Sequence, residues 1–103
     1  MSTRSKKTLA FLEDLAGGPN TIGKLLRAIR EGEEMSQAQF AEKLGISRHN
    51  LSDIENERRG VSPKKAVEFA KKLRYSKQAF LQLALEDQLK RDGIKIKNVS
   101  VAL

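Results

Sequence analysis

Cysteine and tryptophan are both absent from this chain. Without thiols there are no disulfides, no thiolate metal sites and no cysteine nucleophile. A single histidine, His49, is present, and one imidazole cannot build a metal site without several carboxylate partners. Aromatics are few: Phe11, Phe40, Phe69, Phe80 and Tyr75. Each falls on a helical apolar stripe, so Phe69 and Phe80 read as core rather than as stacking platforms. No apolar run approaches the roughly 20 residues of a membrane-spanning helix. The stretch from Thr8 to Leu15 follows the basic Arg4, Lys6 and Lys7, but it is too short and too interrupted for a signal peptide. No membrane contact is expected, and the cytoplasm is the expected compartment. Acidic charge is the minority sign, with 13 Asp and Glu against 20 Lys and Arg.

The resulting net charge of +7 suits a polyanionic partner. A solvated basic surface would give the same total, so placement matters more than the sum. Residues 64 to 77 carry Lys64, Lys65, Lys71, Lys72, Arg74 and Lys77 against Glu68 alone. At 103 residues the chain is expected to form one domain with a modest core, which dimerisation would help to stabilise.

Residues 1 to 7 are polar. Thr8 to Ala16 reads as a short helix, stopped by Gly17-Gly18-Pro19. A second helix starts near Asn20 or Thr21, with Ile22, Leu25, Leu26 and Ile29 at the i, i+3, i+4, i+7 spacing of one buried face. Four further helices then open alike. Ser36 is a candidate N-cap with Gln39 completing a capping box, and Met35 and Phe40 sit at staple positions. Ser47 repeats this, stapled by Ile46 and Leu51. Ser62 precedes Pro63, the favoured first helical residue. Ser76 is flanked by Tyr75 and Phe80. The chain is thus expected to be helical from about 8 to 91. Phe40, Ala41, Leu44, Leu51, Ile54, Val67, Ala70 and Leu73 are the expected core.

The last helix, from Ser76 to about Arg91, carries two apolar stripes. Phe80, Leu83 and Ala84 form one; Leu81, Leu85 and Leu89 form another, about a third of a turn away. The second stripe calls for a second partner or for cover from the N-terminal helix. Beyond Gly93, Ile94-Lys95-Ile96-Lys97 alternates as a strand does. A lone strand leaves its backbone unpaired, so Leu81, Leu85, Leu89, Ile94 and Ile96 are candidates for a dimer or partner interface. A frayed tail is the alternative.

The run from Met35 to Glu55 decides the functional reading. It encodes two short helices joined by a glycine turn, the second polar at its tip and apolar behind. Ser36-Gln37, Phe40-Ala41, Leu44-Gly45, Ile46-Ser47, Leu51, Ile54-Glu55-Asn56 and Ser62-Pro63 resemble, without gaps, the helix-turn-helix domain of phage Cro and repressor proteins, the XRE family. The resemblance spans about residues 22 to 73. It implies an all-α helix-turn-helix bundle of about five to six helices, to which the tail pattern adds a short C-terminal β-strand. On this reading 1–20 is a basic arm and short helix, 21–75 the helix-turn-helix domain, and 76–103 a dimerisation or partner-binding segment.

The resemblance also implies roles. Base contacts fall on positions matching Ser47, Arg48, His49 and Asp53, with Ser52 on or near the same face. Arg48 can pair bidentately with guanine, and His49 can donate or accept. Asp53 could accept from cytosine N4, or it could form a salt bridge with a nearby Arg, since phosphates repel it. Gln37 matches a phosphate-binding residue that braces the second helix. Asn50 completes a cap or touches the DNA backbone. Arg58, Arg59, Lys64 and Lys65 are the candidates for the far phosphate strand. Glu55 matches a structural residue paired with an Arg, here Arg30. Two departures stand out: Glu34 and Glu57 occupy positions where the family usually has Gly, so those turns could differ.

The expected function is therefore a sequence-specific regulator that binds double-stranded DNA, a homodimeric repressor reading a palindrome. The flanking segments look like a bacterial subgroup, some of which resemble antitoxins. The alternative is accordingly an antitoxin that neutralises a ribonuclease-type toxin while repressing its own operon. An enzyme is not expected. Glu33, Glu34, Asp53 and Glu55 pair with no plausible nucleophile, and no phosphate loop, metal box or triad is visible. No cofactor is implied.

Overall fold

A computed structural model of the chain describes residues 21–94. Five helices occur among them: α1 (Ile22–Gly32), α2 (Gln37–Leu44), α3 (Arg48–Glu55), α4 (Pro63–Leu73) and α5 (Lys77–Arg91). The expected helix at 8–16 lies outside the described residues. So does the expected strand with Ile96, apart from Ile94. That residue follows the turn ending α5, and no strand occurs among the described residues.

Each helix begins with the same chemistry. The hydroxyls of Thr21, Ser36, Ser47, Ser62 and Ser76 accept from the backbone N–H three residues on. Each thereby satisfies a donor that the helix itself leaves unpaired, worth about 1 kcal/mol apiece. At Ser36 the capping box closes, with the Ser36 N–H donating to Gln39 Oε1 at 2.9 Å. The staples also form. Met35 and Ile46 pack against the core, and the Tyr75 and Phe80 rings lie 6.1 Å apart.

The helices also end alike. In every case a backbone N–H reaches back five residues: Met35 to Arg30, Ile46 to Ala41, Arg58 to Asp53, Tyr75 to Ala70 and Ile94 to Leu89. This closure needs a left-handed residue just before the donor. Glycine supplies it at Gly45 and Gly93, while Glu34, Glu57 and Arg74 adopt it with φ near 60°. The departures at Glu34 and Glu57 therefore preserve the turn, at about 1 kcal/mol or more of backbone strain each.

The core forms where the five apolar faces meet. Ile22, Leu26, Ile29, Phe40, Leu44, Leu51, Phe69 and Phe80 are essentially inaccessible to solvent. Val67 departs from expectation: it is only half-buried, because Ala66, Phe69, Ala70 and Leu73 point the α4 face inward. Helix α3 is held between α1 and α2, and α4 packs on α2 and α5. The approach of α1 to α3 requires a glycine. A Cβ on Gly23 would overlap the Ile54 carbonyl oxygen at the end of α3. Phe80 and Ala84 join the core, Leu83 packs against it, and Leu81, Leu85 and Leu89 are half-buried.

Candidate functional site

Helix α3 is eight residues long, about 12 Å at 1.5 Å per residue. So short a helix is not stable by itself, and its position is set by what grips it. Leu51 and Ile54 fix its inner face, at 0% and 4% exposure. Glu55 fixes its last turn. That carboxylate is buried and accepts from Arg30 Nε at 2.8 Å, Arg30 Nη2 at 3.0 Å and Gln37 Nε2 at 3.1 Å. Arg30 also donates through Nη1 to the Met35 carbonyl at 3.1 Å. One ion pair thus joins α1, the α1–α2 turn, the start of α2 and the end of α3. The hydrogen bond to Glu55 is the main reason the Arg30 guanidinium is held above the ordinary arginine value, with burial acting the other way.

With its inner side gripped, α3 turns the other side out. Ser47, Arg48 and His49 are exposed at its start, and Ser52 and Asp53 are half-buried one turn on. Ser47 uses its oxygen to cap Asn50 N. Ser52 is engaged by Asn56, whose Nδ2 donates to its carbonyl at 2.8 Å and its hydroxyl at 3.3 Å. Arg48 has no ion-pair partner among the described residues, which leaves its five donors available.

Asp53 differs from its neighbours. Its Oδ1 accepts from Arg58 Nε at 2.9 Å and lies 2.9 Å from Arg58 Nη2 in the same ion pair, and its Oδ2 lies 3.5 Å from His49 Nε2. In the free protein Asp53 is thus paired with Arg58.

Most of the remaining phosphate-contact candidates lie around the α3–α4 link. Asn50, Arg59 and Lys65 border one recess with Ser62, the cap of α4. Asn50 Oδ1 is enclosed there without a hydrogen-bond partner among the described residues. Lys65 Nζ lies 3.4 Å from Glu68, an exposed pair of small energetic weight. Lys64 is exposed at the start of α4. Gln37 sits at the first position of α2, where helix geometry leaves N–H groups free and favours an anion. Its side chain braces Glu55. The interface candidates Leu81, Leu85 and Leu89 lie along α5, and Ile94 is 46% exposed.

Three contacts are absent from the sequence analysis. Asp87, buried at 5%, accepts from Arg91 Nε at 3.0 Å, and Arg91 Nη2 donates to the Glu57 carbonyl at 3.3 Å. Helix α5 thereby reaches the strained turn that ends α3. The i, i+4 spacing of Asp87 and Arg91 predicts their pairing, but nothing local predicts the reach to Glu57. Likewise Lys72 Nζ donates to the Leu44 carbonyl at 3.0 Å, tying α4 to the α2–α3 turn.

No group of three or more His, Cys, Asp or Glu side chains that could hold a metal ion occurs among the described residues. No helix among them is long and apolar enough to cross a membrane.

Residues 23–86 match a family model described as a helix-turn-helix domain. A 38-residue stretch, 37% of the chain, is 45% identical to the immunity repressor protein of Bacillus phage phi105. The match covers 26% of that protein, so the chain corresponds to about a quarter of its length. No solved structure matches.

Proposed function

The chain belongs to the helix-turn-helix domain family, in its phage Cro and repressor (XRE) type, and from that premise we propose that it is a dimeric repressor reading a palindromic operator through α3. One observation carries the proposal: a short helix gripped from behind by Leu51, Ile54 and the Arg30–Glu55 pair turns Ser47, Arg48 and His49 outward. A major groove admits such a helix, and Arg48 carries the fork that pairs with guanine O6 and N7. Ser52 lies one turn on along the same face.

Gln37 at the start of α2, and Asn50, Arg58, Arg59, Lys64 and Lys65 around the α3–α4 link, supply the phosphate contacts on either side. Phosphate contacts furnish much of the affinity and make it fall with salt. The half-buried Leu81, Leu85 and Leu89 and the exposed Ile94 supply the face for a second copy. A two-fold dimer places two α3 helices about 34 Å apart, one turn of duplex. The similarity to a phage protein named as an immunity repressor supports repression as the outcome.

Selection of bound duplexes from a randomised pool tests the proposal. A palindromic consensus with half-sites one helical turn apart is expected. Failure to enrich any duplex sequence would overturn it, and a single unrepeated half-site would overturn the dimer.

A further inference from the structure

An acidic side chain on a helix that approaches a polyanion is a problem in electrostatics. Asp53 stands on the outer side of α3, one turn after His49, and its side chain is 16% exposed. A bare carboxylate there would be repelled by every phosphate within about 10 Å. The structure shows how the charge is handled. Helix α3 ends in a left-handed turn at Glu57, which brings Arg58 back over Asp53. The Arg58 backbone N–H donates to the Asp53 carbonyl at 2.8 Å, and its guanidinium pairs with Oδ1, donating through Nε with Nη2 at 2.9 Å. Arg58 is therefore attached to Asp53 twice, by main chain and by side chain.

The geometry leaves Arg58 with unspent capacity. A guanidinium has five N–H donors; two face Asp53 Oδ1, and the Arg58 side chain is 59% exposed. The other Asp53 oxygen lies 3.5 Å from His49 Nε2, on a ring whose side chain is 86% exposed. Asp53 thus has a cation on one oxygen and the His49 imidazole opposite the other.

We propose that Asp53 reads no base: it is a positioning residue that holds Arg58 against the duplex backbone, and the two act as one unit. This rests on the duplex-binding reading and refines it. Asp53 is tolerated on the DNA-facing side because Arg58 neutralises it, and Arg58 is ordered there because Asp53 holds it. A base reader would act through a cytosine amine, independently of Arg58.

A double-mutant cycle separates the two. The probe is the duplex enriched from the randomised pool, together with its single-base-pair variants, and binding is followed by fluorescence anisotropy at fixed salt. Arg58→Ala strands a carboxylate beside the phosphates and weakens binding about tenfold or more. Adding Asp53→Ala to that variant removes the stranded charge and recovers part of the loss, while the part owed to the missing Arg58 phosphate contact stays lost. Asp53→Ala alone leaves the ranking of the single-base variants unchanged, because a backbone contact is blind to sequence. Asp53→Asn, which keeps the shape, behaves in the same way and guards against a folding artefact. If the double variant binds more weakly than Arg58→Ala, or if either Asp53 variant relaxes preference at one base pair, the inference is overturned. A wild-type chain that enriches no duplex would overturn the underlying reading as well. Enrichment followed by a cycle of independent, additive losses overturns this inference alone.

Discussion

Glu55→Ala removes the carboxylate that receives three hydrogen bonds from two other helices. The magnitude follows from the burial of the partners. Glu55 is 2% exposed in its side chain and Arg30 is 14%, so water reaches the cation in part and the carboxylate hardly at all. Breaking a buried pair by deleting one member costs about 3–5 kcal/mol, because the survivor is left charged and unpaired. Arg30 retains its bond to the Met35 carbonyl and some hydration, which places the loss near the lower end, about 3 kcal/mol. For a domain of this size that lowers the melting temperature by about 12–24 °C. Urea denaturation and a thermal scan measure it. Arg30→Met with Glu55→Leu should recover most of the stability, since an apolar pair carries no desolvation cost. The Arg30 contribution also has a defined pH behaviour. Its folded value lies above the unfolded one, so its stabilisation is complete below the unfolded arginine value and fades only as pH climbs through the folded one. Across about pH 5–9 that contribution should be flat. A loss under about 1 kcal/mol for Glu55→Ala, with an unchanged denaturant slope, would refute the claim that this pair holds α3.

Other substitutions probe separate parts of the argument. Gly23→Ala should destabilise by about 3 kcal/mol, because overlap with the Ile54 carbonyl outweighs the roughly 1 kcal/mol gained in helix propensity; a more stable variant in urea would contradict that packing. Glu57→Gly should stabilise by about 0.5–1 kcal/mol by relieving a left-handed glutamate, since its 3.9 Å pair with Lys24 is largely exposed and worth little. A lower urea midpoint would count against the strain. Arg48→Ala should cost about 1–3 kcal/mol of binding and relax one base pair; unchanged discrimination on an operator panel would remove it from the readers. Lys64→Ala should weaken binding to all sequences alike and flatten the salt slope by about one unit, which a salt titration checks.

Element starts were legible because a serine cap, its staple and the following apolar stripe all lie within six residues of one another. Ser36, Ser47, Ser62 and Ser76 cap the helices read from them. Element ends were less legible. The family's glycine signal was missing at Glu34 and Glu57, yet the same closure forms, because a five-residue backbone bond and tertiary grip outweigh about a kilocalorie of strain. The Arg30–Glu55 pair was read from resemblance, since its members lie 25 residues apart and no periodicity links them.

What the chain determined by itself was local: where helices start, which faces are apolar, and that the polar tip of α3 has a rigid backing. These are short-range consequences of capping, helical period and side-chain type. What only the tertiary structure decided was the company each side chain keeps. Asp53 faces Arg58 and His49, Gln37 braces Glu55, and Arg91 reaches from α5 to the Glu57 carbonyl. Such pairings depend on where a turn redirects the chain and how closely two helices approach. Those are settled by packing the whole core, which no window of sequence contains.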